Sequence, residues 1–162
     1  MDVRKLAGQD ELVIRQTVLD MAQKKGQVVH GTRALNQQVP TYLKRKTLDY
    51  DIFTDNPKKS ATELASTLRR RLGDRFEVKK GSHPGTFKVK KNGETVVDYT
   101  QKRGKIRSKK ILGVKYKAIK TIKRGTQKLV KKKGTEFRRE KDTDTLSRIQ
   151  EIERIDKAFN QF

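Results

Sequence analysis

In the stretch KRKTLDYDIFTDNP, residues 44–57, Asp49 and Asp51 stand two positions apart. Residues two apart on a β-strand share a face, so a strand here turns both carboxylates one way and Tyr50 and Ile52 the other, into a core. Such a pair repels itself unless a cation sits between. A third acid, Asp98, lies in TVVDYT behind Val96 and Val97, and Gly31 and Thr32 follow the apolar run QVVH. Backbone N–H groups at a glycine turn can hold phosphate oxygens. Three carboxylates converging from neighbouring strands can hold two divalent ions about 3.5–4 Å apart for in-line displacement at phosphorus. Singly, these features read as an exposed strand face, a turn and a strand cap; their combination and order point to chemistry.

The elements that must position these residues follow from periodicity. Residues 10–25, DELVIRQTVLDMAQKK, place Val13, Ile14, Val18, Leu19, Met21 and Ala22 at helical spacing, ended near Gly26. QVVHG then reads as a short strand running into a glycine turn, and TRALNQQ as a short helix stopped before Pro40. The carboxylate strand is expected over Leu48 to Phe53. SATELASTLRRRLG is the clearest helix, with Ser60 and Glu63 as a capping box, a stripe of Leu64, Leu68 and Leu72, and Gly73 at its end. Three alternating runs follow, RFEVKK, TFKVKKN and ETVVDYT, divided by a Gly81–Gly85 turn and by the hairpin signal Asn92-Gly93. A last amphipathic helix, DTLSRIQEIERIDKAF, carries Leu146, Ile149, Ile152 and Ile155 on one face. This order predicts an α+β (mixed α/β) fold, a mixed sheet packed with helices.

At 162 residues the chain fits one domain, read as a core over residues 1–100 with a basic helical extension over residues 101–162 packed on it. The formal net charge is +22, and Gln101–Lys141 holds 18 Lys or Arg against Glu136 and Glu140, which leaves +16 in that quarter. Such density attracts phosphate backbones and gives salt-dependent binding. Ile111, Leu112, Val114, Tyr116, Ile119, Ile122, Leu129 and Val130 are threaded through it, so the segment can dock on a core and turn its charges outward. The absence of cysteine excludes disulfides and thiolate metal sites. No apolar run approaches the roughly 20 residues of a membrane span, and the opening MDVRKLAGQDE is not expected to act as a signal peptide. A soluble protein without a membrane partner is expected. His30 and His83 lack a third ligand for a tetrahedral metal site. The aromatics Tyr50, Phe53, Phe76, Phe87 and Tyr99 fall at alternating positions suited to a core, with Tyr99, beside Asp98, also able to stack on a base.

VVHGTRALN, LDYDIF and TVVDYT together resemble the nucleotidyltransferase fold shared by DNA polymerase beta, poly(A) polymerases, tRNA CCA-adding enzymes and small antitoxin-linked or antibiotic-modifying transferases. That signature is an apolar strand, Gly followed by Gly or Ser, a short helix, an apolar-flanked D-x-D or D-x-E, and a third carboxylate on a later strand. Thr32 stands where the signature has Gly or Ser. KTLDYDIF and REKDTDTLSRI also look like stretches of small viral and bacterial members, and the resemblance runs from about residue 27 to 149. It implies that Asp49 and Asp51 bind the Mg²⁺ carrying a nucleoside triphosphate and share a second ion with Asp98, Mn²⁺ being able to substitute. Asp98 would assist deprotonation of the attacking hydroxyl, Gly31 and Thr32 would offer N–H groups to the triphosphate, and Arg33 and Lys141 would add positive charge.

These readings imply a Mg²⁺-dependent nucleotidyltransferase adding a nucleoside monophosphate to a nucleic-acid 3′ hydroxyl, with RNA or DNA held by Gln101–Lys141. A cationic acceptor such as an aminoglycoside would be repelled by that segment. The alternative is a non-catalytic nucleic-acid-binding protein that keeps the fold and assembles into a viral particle or ribonucleoprotein. A metal-dependent nuclease ranks behind both, since the glycine turn has no role there. The expected setting is cytoplasmic, the host cytoplasm or the virion if the chain is viral.

Overall fold

Helix α1 (Val3–Lys25) begins several residues before its apolar periodicity does. The computed structural model describes the backbone of residues 3–160 and the side chains of residues 8–160. Ile14, Thr17, Val18 and Ala22 form the buried stripe of α1. Gly26, at φ +62°, ends the helix, with its N–H and that of Gln27 closing back on the Gln23 and Ala22 carbonyls as in a Schellman cap. The chain continues through β1 (Val28–His30), α2 (Gly31–Asn36), a 3₁₀ turn (Thr41–Leu43), β2 (Tyr50–Thr54) and α3 (Pro57–Leu72). Strands β3 (Phe76–Lys80), β4 (Thr86–Lys91) and β5 (Glu94–Gln101) form the expected meander. The turn between β4 and β5 has Asn92 at φ 50° and Gly93 at φ 84°, the left-handed pair that a tight hairpin demands.

Beyond residue 100 the structure adds sheet as well as helix. Strands β6 (Ser108–Ile111) and β7 (Val114–Lys117) form a hairpin before α4 (Ile119–Lys131), a second 3₁₀ turn and α5 (Arg139–Phe159). Strand β7 pairs in parallel with β1, so the seven-stranded sheet runs β3-β4-β5-β2-β1-β7-β6. Of the apolar residues threaded through the basic segment, Val114 and Tyr116 enter the main core, while Leu112, at the tip of the new hairpin, is 96 % exposed.

One face of the sheet is apolar. Val29, Tyr50, Ile52, Val89, Val97 and Tyr99 join Ile14 and Val18 of α1 and Ala61, Leu64, Ala65 and Leu68 of α3 in the main core. A smaller cluster ties α2 and the first 3₁₀ turn to α5 through Leu35, Val39, Leu43, Ile149 and Ile152. Among the described residues no helix is long and apolar enough to cross a membrane.

The expected capping box is not where α3 begins. Asn56 is the cap, its side chain accepting from the Lys59 N–H at 3.1 Å, with Pro57 in the first turn. Ser60 lies inside the helix, buried, its hydroxyl 2.8 Å from Thr54 Oγ1, while Gln27 Nε2 donates to both oxygens. That triangle joins the entrance of β1, the end of β2 and α3. Ser60→Ala should lower unfolding free energy by about 1–2 kcal/mol, because it leaves buried partners unsatisfied. Asn56→Ala should cost about 1 kcal/mol through the lost cap. Urea unfolding of each variant measures both.

Candidate active site

Strand register builds the site. His30 of β1 pairs with Asp51 of β2, Asp51 with Asp98 of β5, and Asp98 with Lys88 of β4, so four polar side chains form one row across four strands. Because Tyr50, Ile52 and Thr54 are buried on the core face, Asp51 and Phe53 face the opposite side of β2, as alternation demands. Asp49 lies one residue before the strand, its Oδ1 accepting from Thr47 Oγ1 at 3.2 Å. One carboxylate oxygen each from Asp49, Asp51 and Asp98 lies within 4.8 Å of the others. This is a donor set of hard oxygens able to coordinate a divalent metal.

The electrostatics record the crowding. Burial, then Asp49, then Asp98 push the Asp51 carboxyl up to about 6, against opposing help from Lys141 and Lys88. Lys88 Nζ lies 3.1 Å from Asp98 Oδ1, an ion pair whose angle leaves that buried oxygen without a hydrogen bond. An unsatisfied buried carboxylate oxygen inside a repelling acid cluster is what a bound cation would relieve. Gly31 closes the cluster from below. Its φ is +66°, and a side-chain Cβ there would overlap Asp51 Oδ2.

A cleft of about 410 Å³ opens over this row. Gly31, Thr32, Asp51, Asp98 and Lys88 line its sheet side, and Arg138, Lys141, Thr145 and Arg148 come from α5 and the turn before it. Lys141, Thr145 and Arg148 share one face of α5 at four- and three-residue spacing. Arg138 donates to both oxygens of the buried Asp142 at 3.0–3.2 Å, and the buried Arg148 pairs with Asp144 at 3.1 Å. Burial, followed by the Lys117 charge, lowers His30 to about 3, so its imidazole is neutral, and its ring stacks on Phe53 with centroids 3.7 Å apart.

Two expectations fail on side-chain direction. Arg33 turns away from the cleft: its guanidinium donates to the Asp49 and Leu48 carbonyls and lies over the Tyr50 ring at 4.1 Å. It positions the segment entering β2. Tyr99 is fully buried on the core face, opposite Asp98, so no base can stack on it. Sequence reasoning also missed Lys88, Arg138 and Arg148. For Lys88 the available signal was the alternation of TFKVKK, which turns Thr86 and Lys88 away from Val89.

The family model described as Poly(A) polymerase catalytic subunit matches residues 16–131. The chain belongs to that family. The match runs from within α1 to the end of α4 and includes Gly31 and all three acids; α5, with Lys141, lies beyond it. The fold is similar to that in the crystal structure of the Megavirus polyadenylate synthase, with a TM-score of 0.77 and 20 % identity over 87 % of this chain and 31 % of that chain. This member of the poly(A) polymerase family therefore spans about a third of the length of that synthase. No curated protein matches it in sequence.

Folding binds a proton at Asp51 between its ordinary value of 3.8 and about 6, so in the absence of divalent ions stability falls as pH rises through that window. Asp51→Asn should therefore raise the metal-free melting temperature at pH 8 by roughly 2–8 °C and change it little at pH 4. Scanning calorimetry in chelator at the two pH values checks the sign. Gly31→Ala should move the other way, lowering the melting temperature at both.

Proposed function

We propose that this chain is a nucleotidyltransferase that moves AMP from ATP to the 3′ hydroxyl of an RNA strand. The observation that carries the reading is the convergence of Asp49, Asp51 and Asp98 on one point in a chain of the poly(A) polymerase family. The family's name supports adenylate as the nucleotide added, and RNA as the acceptor is part of the proposal. In this reading residues 1–100 supply the acids and residues 101–162 the basic wall facing them, within one domain.

In the reaction the 3′ oxygen attacks the α-phosphorus, the bond from α-phosphorus to the oxygen bridging to the β-phosphate breaks, and pyrophosphate leaves. Asp49 and Asp51 would hold the Mg²⁺ that accompanies the triphosphate and, with Asp98, a second one; all-oxygen ligands suit Mg²⁺, and Mn²⁺ would substitute. When bound, these ions neutralise charge building on the phosphoryl oxygens. Asp98 accepts the proton of the attacking hydroxyl, with Lys88 beside it offsetting part of the local negative charge. Gly31 and Thr32 offer N–H groups to the triphosphate. Lys141, on the opposite wall of the cleft, draws the phosphates against the acids. The basic surface of the 101–141 segment holds the strand, so affinity falls steeply with salt. A setting in the host cytoplasm or the virion belongs to this reading.

The test is extension of 5′-labelled RNA and DNA oligonucleotides with each nucleoside triphosphate and Mg²⁺, resolved at single-nucleotide length beside the Asp49→Asn, Asp51→Asn double variant. Adenylate should be added to RNA by the wild type, and the variant should lose roughly 10³-fold or more of the rate. No extension on any acceptor, with oligonucleotide binding unchanged in the variant, would overturn the transferase and leave a nucleic-acid-binding protein. Shortening of the labelled strand would point instead to a nuclease.

A further inference from the structure

A second cavity, of about 520 Å³, lies on the same face of the sheet and meets the first at His83, Thr86 and Thr100. Its position follows from the register. Phe53 is two residues beyond Asp51 on β2 and Thr100 two beyond Asp98 on β5, and the two are paired, so they form the next side-chain row, about 7 Å further along the strands. Gly31 lies on the other side of the acids. Strand β1 runs antiparallel to β2, so the chain passes from Val28, opposite Phe53, to His30, opposite Asp51, before it reaches Gly31. The acids thus stand between the glycine turn and the Phe53–Thr100 row.

That order decides the direction of attack. If the leaving pyrophosphate lies at the Gly31–Thr32 turn, in-line displacement requires the attacking oxygen to arrive from the opposite end. The surface at that end has the chemistry of a strand terminus. Arg103, Lys105 and Lys117 line the second cavity with Phe53 and Ile106, and no Asp or Glu is among its lining residues. Phe53 is fixed by its stack on His30, at an interplanar angle of 16°, and Lys117 Nζ lies over its ring at 5.6 Å, so an incoming base shares that aromatic surface with the ammonium.

We propose that this cavity receives the unpaired 3′-terminal nucleotide of the acceptor strand, with its base against Phe53 and its phosphates among Arg103, Lys105 and Lys117. The proposal rests on the transferase reading of the acids. The occupant is one unpaired nucleotide, since a base free of a complement can turn its face onto Phe53.

An RNA with 4-thiouridine as its 3′-terminal nucleotide, cross-linked by light to the full chain and mapped by peptide mass, tests the site directly. Cross-links should fall on the peptides containing Phe53, residues 102–107 or Thr121, which also lines the cavity; cross-links confined to α5 would overturn the proposal. In extension assays Arg103→Ala, Lys105→Ala should raise the acceptor KM about tenfold and leave the ATP KM unchanged. Both residues are exposed in a loop, so the variant should keep the wild-type melting temperature. A raised ATP KM with an unchanged acceptor KM would overturn the assignment, and so would equal extension of the same RNA annealed flush to a complement. Cross-links in the cavity without any nucleotide addition would refute the transferase reading while leaving strand binding here intact. Addition with cross-links elsewhere would refute this inference alone.

Discussion

Three carboxylates held within a few ångströms of one another repel, and that repulsion is the constraint around which the rest of the molecule is arranged. It is met from behind. Asp51 and Asp98 sit on paired parallel strands whose opposite faces bury Tyr50, Ile52, Val97 and Tyr99, so neither strand can turn its acid away without exposing core side chains. It is met from the sides as well, by Gly31, which leaves room for Asp51, and by Lys88, which pairs with Asp98. Arg33 pins the segment carrying Asp49 through backbone carbonyls. The cluster is therefore a rigid feature of the sheet, prepared for a cation before one arrives.

The opposing charges are separated along the chain and brought together in space. The acids come from β2, the residue just before it and β5, all in the first hundred residues, and the cations across the cleft come from α5 and the turn before it. What joins the two halves is sheet pairing: β7 hydrogen-bonds along β1 and carries α4 and α5 round to the open face. Leu35, Val39 and Leu43 then seat α5 by packing on Ile149 and Ile152, which fixes the depth of Lys141 and Arg148 in the cleft. A surplus of positive charge would otherwise spread this segment by self-repulsion.

Much of this was legible in the amino-acid sequence where burial alternates cleanly. LDYDIF declared its acid face because Tyr50 and Ile52 bracket Asp51, and Asn92-Gly93 declared its turn because few other pairs accept two positive φ angles. The pairing of Lys88 with Asp98 was hidden, since a bulge between Val89 and Lys90 shifts the register, with Val96 as the extra residue on β5. The β6–β7 hairpin was hidden by charge: KKILGVKYK alternates, but its lysines read as part of a basic helical tract. Its turn uses Leu112 at φ 49° before Gly113, a geometry that leucine seldom signals. Ser60 misled because a capping-box pattern is local, whereas its hydroxyl is claimed by Gln27 and Thr54 across the fold. Arg33 misled because a place beside the glycine turn does not fix where a long side chain ends, and Tyr99 misled because, as the strand neighbour of Asp98, it takes the opposite, buried face.

The strand order has one more consequence. A sheet of seven strands that does not close leaves two borders, and here they are β3 and β6, reading FEVKK and SKKI. Each border strand carries two adjacent lysines, Lys79 and Lys80 on β3 and Lys109 and Lys110 on β6. A second copy approaching edge to edge would bring like charges together before it could form a hydrogen bond, so these lysines keep its sheets from growing into one another.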